Sequence, residues 1–171
     1  QINAFNPEVL MNDDDFKKPE DIISMVSTYI NDYGKRDIRD NDIANYLICI
    51  TQGFITTFAG EPGTGKTSLC NLLSRALGLS REDTNNRFTE VSVERGWTSL
   101  RDLIGYYNPL SRKMEKSNAA VYNAFATLDA EARNSVFDPK VGKSKIAPYI
   151  ILLDEANLSP IEHYWSAFFR N

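Results

Sequence analysis

The sequence lacks the features that mark several classes of protein. No run of about 18 apolar residues occurs, so no segment is expected to span a bilayer and no membrane partner is expected. The 171 residues include one histidine, His163, and two cysteines, Cys49 and Cys70. These counts exclude a disulfide framework and a zinc site built on several such ligands. A net charge of −4 gives no overall basic footprint for nucleic acid. We therefore expect a cytoplasmic globular protein in which both cysteines are reduced, buried thiols.

The chain instead shows an alternation of helical and strand-like patterns. Helical spacing of apolar residues, with proline or polar residues at the starts and glycine at several ends, predicts helices over 19–33, 40–52, 65–77, 98–104, 118–133 and 160–170. Runs rich in β-branched and aromatic residues predict strands over 54–59, 87–93 and 149–153. Residues 110–118 are expected to form a loop or hairpin, and 134–148 a loop. This order predicts an α/β fold with a parallel core.

The segment GEPGTGKT, residues 60–67, carries the clearest chemical signal, because it matches the pattern G-x-x-x-x-G-K-[ST] in full. Its glycines let successive N–H groups point at phosphate oxygens, and the following helix adds its positive dipole end. Lys66 is expected to bind the β- and γ-phosphates, and the Thr67 hydroxyl is expected to ligate Mg²⁺. The residues predicted to contact the nucleotide here are Gly60, Glu61, Pro62, Gly63, Thr64, Gly65, Lys66, Thr67 and Ser68.

Two acids end the apolar run YIILL, residues 149–153. In enzymes with a phosphate loop, an acid at a strand end completes the Mg²⁺ shell and a neighbouring group orients the attacking water. Asp154 suits the first role, and Glu155 suits the second, as a general base. Two acids after a strand also occur in ordinary solvated loops, but the phosphate loop upstream favours the catalytic interpretation. The sequence therefore predicts a triphosphatase whose catalytic residues are Lys66, Asp154 and Glu155.

The phosphate loop and the acid pair together resemble the AAA+ ATPase superfamily. The stretches WTSLRDLIGYYNPL (97–110) and LLDEANLSPIEHYWS (152–166) are similar to the branch that contains MoxR-type chaperone ATPases, midasin and McrB-type restriction GTPases, and are most similar to McrB-like proteins. Members of this branch carry an insert before the acid strand, and the 88 residues from Lys66 to Asp154 (154 − 66) leave room for one at about 97–148. The resemblance covers residues 38–171 as a partial core and leaves 1–37 as an N-terminal helical lead-in.

The resemblance implies a three-layer nucleotide-binding fold, in which helices flank a parallel sheet of five strands ordered 5-1-4-3-2. It also implies a homo-oligomer, usually a hexameric ring. Asn157 would lie near the γ-phosphate or a neighbouring subunit, although a helix cap is an equal alternative. Residues 38–43 would lie near the base. In the insert, Arg112, Lys113 and Lys116 would contact a DNA or protein substrate, or else form a solvated loop.

The resemblance also implies elements that follow the acid strand. The chain ends 17 residues after Asp154 (171 − 154), before the sensor strand, the arginine finger and the helical lid of such proteins. We therefore expect a piece of a longer protein, with a sheet incomplete at the C-terminus. Because an arginine finger contributes about 10³–10⁵ in turnover, this piece alone is expected to hydrolyse nucleotide poorly.

The leading hypothesis is Mg²⁺-dependent binding and hydrolysis of ATP that drives remodelling or translocation of a macromolecular partner. One alternative is a GTP-specific, McrB-like subunit that translocates DNA for a restriction system, since nothing in the phosphate loop reads the base. Another is a nucleotide-gated scaffold or switch without turnover, against which Glu155 argues.

Overall fold

The computed structural model describes residues 18–53, 55–80, 86–134 and 148–168. These residues belong to two compact units, which divide between Asn86 and Arg87. The phosphate-loop unit comprises the described residues up to 86, and the acid unit comprises those from 87 onward. Each unit has its own hydrophobic core.

Three helices build the phosphate-loop unit, and all three were predicted from the sequence. Helix α1 (Pro19–Thr28) continues as a π-helical turn (Tyr29–Tyr33), α2 spans Asp40–Gln52, and α3 spans Lys66–Ala76. The apolar residues at helical spacing supply the core, as expected for amphipathic helices. Its fully buried members are Val26, Ile30, Ile43 and Leu73.

The predicted strand over 54–59 is not observed. Residue 54 lies outside the described residues, and 55–59 form irregular backbone that no described residue pairs with in a ladder. The segment is held by side chains instead: the Thr56 hydroxyl donates to the Cys49 carbonyl at 2.9 Å, and the Phe58 ring lies 5.6 Å from that of Tyr46. A β-branched composition suits a strand, but a strand forms only where a neighbour pairs with its N–H and C=O groups.

The acid unit contains a parallel pair of strands. Strands β1 (Phe88–Ser92) and β4 (Ile150–Asp154) run in register from Phe88 opposite Ile150 to Ser92 opposite Asp154. Both confirm the sequence prediction to within about two residues. The implied order 5-1-4-3-2 places the second and third core strands side by side, and this adjacency is present. The rest of that five-stranded sheet is absent from the residues described, where the fold is a set of helices with one small parallel sheet.

Two helices of the acid unit begin at polar caps. Helix α4 (Leu100–Leu103) begins where the Asp102 carboxylate accepts hydrogen bonds from the N–H groups of Thr98 and Ser99, at 2.8 and 2.9 Å. These bonds, that from Thr98 foremost, lower the pKa of Asp102, since they favour the charged carboxylate. Helix α5 (Ala119–Asn134) begins where the Asn118 side chain accepts from the N–H of Val121 at 3.1 Å.

The last predicted helix is shorter than expected. Helix α6 spans Ile161–Trp165, a 3₁₀ turn follows over Ser166–Phe168, and 169–171 lie outside the described residues. Both tryptophans pack in the core of this unit: Trp165 is buried and Trp97 meets the Tyr164 ring edge-on at 5.2 Å.

The region expected to be a loop or hairpin is a hairpin. Strands β2 (Tyr106–Asn108) and β3 (Lys113–Glu115) pair in antiparallel fashion. Gly105 makes this approach possible, because a Cβ there would lie 2.0 Å from the Glu115 carbonyl oxygen. The predicted loop over 134–148 lies almost wholly outside the described residues.

Two further expectations concern exposure. Cys49 is exposed on α2, so the expectation of two buried thiols is wrong for it; Cys70 is half-buried. The sequence around Cys49 is apolar, but the described residues do not cover the face of α2 on which Cys49 lies. None of the helices in the described part of the chain is long and apolar enough to cross a bilayer.

Candidate functional site

The phosphate loop, residues 60–65, turns back on itself immediately before α3. Gly63 and Gly65 adopt left-handed backbone with φ of +80° and +81°, which a residue with a Cβ adopts only under strain. The Thr64 hydroxyl donates to the Glu61 carbonyl at 2.9 Å and closes the turn. A Cβ at Gly63 would meet nothing within 4 Å, so this side of the loop is open to a ligand.

Lys66 is the first residue of α3, and its ammonium lies over the loop that precedes it. The Nζ atom donates to the carbonyls of Gly60 and Glu61, at 2.8 and 2.9 Å. These bonds use two of the three N–H donors of the ammonium. Thr67 and Ser68 follow in the first turn of α3, Thr67 half-buried and Ser68 exposed. The lysine is thus held beside the loop by bonds that a stronger acceptor can replace.

A cavity of about 370 Å³ adjoins the loop on the side of α3, within the size range of small-molecule sites. Thr64, Gly65 and Lys66 form its loop wall. Its apolar wall consists of Ile38, Tyr46, Phe58, Ala59 and Leu69. The cavity therefore joins polar loop atoms to an apolar surface, an arrangement that suits a ligand with one charged end and one apolar end.

Arg36 lines the same cavity, and the sequence motifs gave no reason to single it out. Its guanidinium lies against the main chain of Gly65, so that a Cβ on Gly65 would be 2.6 Å from both terminal nitrogens. The only sequence signal is a pair of basic residues, Lys35 and Arg36, just before α2, and basic pairs are common at helix boundaries.

The acid turn, residues 154–159, follows β4 in the acid unit. Asp154 is the last residue of β4, and its carbonyl accepts from the N–H of Val93 at 2.9 Å. Glu155 then adopts left-handed backbone, with φ of +53°, and its side chain is exposed. The buried Ser159 fixes the end of the turn, since its hydroxyl donates to the Glu94 carbonyl at 2.8 Å and accepts from the N–H of Trp97 at 3.1 Å.

Asn157 lies within the short 3₁₀ helix Ala156–Leu158 and is exposed. The residues at the N-caps of this helix and of α6 are Glu155 and Pro160. Asn157 therefore does not act as an N-cap, and its proximity to a nucleotide stays a prediction.

The predicted site residues thus form two groups. Residues 60–68 are brought together in the phosphate-loop unit, and Asp154, Glu155 and Asn157 are brought together in the acid turn. The phosphate loop and the acids belong to different units. The action of the acids on a nucleotide held by the loop therefore stays a prediction.

Comparison with known protein families gives a match that covers most of the residues discussed above. The model of the family described as AAA domain (dynein-related subfamily) matches residues 56–163, more than half of the chain, and this range contains both the phosphate loop and the acid turn. Searches of curated proteins and of solved structures each gave no match.

Proposed function

The chain belongs to the AAA domain family, in its dynein-related subfamily, and from this we propose that it binds a nucleoside triphosphate with Mg²⁺ and hydrolyses it to remodel or translocate a macromolecular partner. Membership of this family indicates nucleotide binding and hydrolysis. The observation that carries the proposal is the loop of residues 60–65, with Gly63 and Gly65 in left-handed conformation, placed against the first turn of α3 beside an open cavity.

The triphosphate would lie against the loop. The main-chain N–H groups in the first turn of a helix point toward its N-terminus and suit phosphate oxygens. The Lys66 ammonium, now bonded to two loop carbonyls, would turn to the β- and γ-phosphates, because a charged acceptor bonds it more strongly than a carbonyl does. The apolar wall formed by Ile38, Tyr46 and Phe58 would receive the base and sugar, which agrees with the placement of residues 38–43 near the base.

Hydrolysis would depend on the acid turn. Thr67 and Asp154 are oxygen donors of the kind that Mg²⁺ prefers, and the ion would neutralise charge on the β- and γ-phosphate oxygens. Glu155 would take the proton of the attacking water, a role for which an exposed carboxylate next to Asp154 is suitable. Without Glu155 in this role, the chain would hold a nucleotide without turning it over.

The finer features rest on resemblance. We propose a homo-oligomer, since AAA domains commonly assemble, with a hexameric ring as the form that the resemblance implies. We also propose membership of the branch with an insert at about 97–148, where the β2–β3 hairpin lies, and a DNA or protein partner. ATP is the proposed nucleotide; competition between ATP and GTP for the site would identify a GTP-specific protein.

The test is Lys66→Ala in the full-length protein. Loss of the ammonium removes hydrogen bonds to charged oxygens, so the Kd for MgATP should rise about 100-fold or more. Isothermal titration calorimetry measures the Kd for MgATP and for MgGTP. Lys113→Ala, which removes an exposed lysine from the β2–β3 hairpin, is the matched control and should leave the Kd unchanged. Unchanged affinity of Lys66→Ala for both nucleotides would falsify the proposal.

A further inference from the structure

Arg36 occupies an unusual position for a charged side chain. It is half-buried, it lines the cavity beside the phosphate loop, and its guanidinium lies against Gly65. Within the described residues no carboxylate forms an ion pair with it. A partly desolvated guanidinium favours an anion beside it, and the Arg side chain offers five N–H donors to such an anion.

Arg39, three residues along the chain, shows the usual arrangement. Its side chain is 84% exposed, and it forms two hydrogen bonds with the Asp42 carboxylate, at 2.9 and 3.2 Å. The two arginines therefore differ in both burial and partner. Arg39 has a carboxylate from its own helix, whereas Arg36 is turned toward the loop.

Hydrogen bonds tie the backbone around Arg36 to the π-helical turn that follows α1. The Asn31 side chain donates to the Ile38 carbonyl at 2.8 Å and accepts from the N–H of Ile38 at 2.9 Å. The N–H of Arg36 donates to the Ile30 carbonyl at 3.3 Å. Gly34 allows the segment to pass close to α3, because a Cβ there would lie 2.7 Å from a Leu72 methyl group.

The glycine at position 65 makes room for this guanidinium. Any Cβ at that position would lie 2.6 Å from its nitrogens, so a side chain at residue 65 and the observed place of Arg36 exclude each other. The loop thus presents main-chain donors with a planar cation directly beside them. A guanidinium binds phosphate through two parallel hydrogen bonds, which matches the oxygens of a polyphosphate better than an ammonium does.

We propose that Arg36 is a nucleotide-binding residue whose guanidinium binds phosphate oxygens of the triphosphate held by the loop, alongside Lys66. This inference rests on the proposed function. Asp37 also lines the cavity, but it is exposed to solvent, which screens its repulsion of an anion. Arg36 supplies from within the phosphate-loop unit a second cation for the triphosphate, distinct from any arginine of a neighbouring subunit.

The experiment compares Arg36→Gln, Arg36→Lys and, as the control, Arg133→Gln in the full-length protein; Arg133 is exposed and pairs with Asp129 of its own helix. For each we would measure the Kd for MgATP, for MgGTP and for adenosine by competition with a fluorescent nucleotide, and the thermal unfolding midpoint. Arg36→Gln should weaken triphosphate binding by about 10- to 100-fold, the range for hydrogen bonds to a charged group. Adenosine binding should be unchanged, because adenosine has no phosphate.

Arg36→Lys keeps the charge but not the two parallel donors, so it should recover part of the lost triphosphate affinity. Arg133→Gln should bind all three ligands as the unmodified protein does. An equal loss of triphosphate and adenosine binding in Arg36→Gln would show that Arg36 only supports the fold, and would overturn the inference. If Arg36→Gln does not fold, Arg36→Lys decides alone: triphosphate affinity equal to that of the unmodified protein would overturn the inference.

The Lys66→Ala variant separates the two proposals. Loss of binding in Lys66→Ala with unchanged triphosphate affinity in Arg36→Gln would overturn the role of Arg36 and leave the proposed function standing. Unchanged binding in Lys66→Ala would overturn the proposed function itself, whatever Arg36→Gln shows.

Discussion

The phosphate loop and the acid turn are both points at which the chain leaves an apolar run and enters a helix. The loop takes its left-handed residues from glycine, at Gly63 and Gly65, with φ of +80° and +81°. The acid turn instead uses a residue with a functional side chain, Glu155, with φ of +53°. A loop that must present main-chain N–H groups needs glycine, whereas a turn that must present a carboxylate accepts backbone strain of about 1–3 kcal/mol.

The two regions also differ in what precedes them. The run before the acid turn is strand β4, which pairs along its whole length with β1. The run before the loop, residues 55–59, is irregular and pairs with no strand in the described part of the chain. Similar apolar composition thus gives a strand in one place and not in the other, and the difference lies in the presence of a neighbour.

The largest expected effect tests whether the acid turn presents a catalytic carboxylate. Glu155→Gln keeps the size of the side chain and removes the base, so nucleotide turnover should fall by about 10²–10⁴-fold while binding stays unchanged. Phosphate release by the full-length protein at saturating nucleotide measures turnover. Glu162→Gln, which alters an exposed glutamate on α6, is the matched control. Normal turnover in Glu155→Gln would remove Glu155 from the role of base, and would favour another group.

Local sequence patterns predicted most of the helices. The helices that contain Val26, Ile43 and Leu73 were predicted from the helical spacing of their apolar residues, because a helix that packs on one face needs apolar residues on that face only. The polar start of α4 was also expected: its N-cap is Ser99, and the Asp102 carboxylate accepts from the N–H groups of Thr98 and Ser99. The phosphate loop was also predictable, since glycine and lysine at fixed spacing encode its backbone conformation directly.

The features that the sequence could not predict depend on distant neighbours. Whether 55–59 forms a strand depends on a pairing partner, and composition carries no record of one. The place of Arg36 depends on the close passage of Gly34 by α3 and on the space at Gly65, which no local pattern encodes. The exposure of Cys49 likewise depends on which face of α2 is covered.

Proline substitution tests whether the run before the acid turn is paired and the run before the phosphate loop is not. Leu152→Pro places proline at the centre of β4, where the missing N–H leaves a carbonyl of the ladder without its donor. The free energy of unfolding should fall by about 1–3 kcal/mol for that acceptor alone. Thr57→Pro, at an exposed position of the unpaired segment, should change it by no more than about 0.5 kcal/mol. Denaturant titration followed by circular dichroism measures both, and equal losses would contradict the difference between the two runs.

The smallest expected effect concerns the left-handed residues themselves. Gly63→Ala introduces a Cβ that meets no atom within 4 Å, so no clash contributes. Backbone strain outweighs the lower entropy of alanine in the unfolded chain, and the free energy of unfolding should fall by about 1 kcal/mol. Glu155→Gly relieves strain of the same kind but adds the entropy of a glycine in the unfolded chain, so stability should rise by at most about 1 kcal/mol. Denaturant titration of the two variants gives the sign of each change in the free energy of unfolding. A fall in stability for Gly63→Ala and a rise for Glu155→Gly would mean that both turns keep their left-handed residue in solution. Unchanged stability in Gly63→Ala would contradict this for the phosphate loop, because the loop would then not need the conformation that exposes its N–H groups to a phosphate.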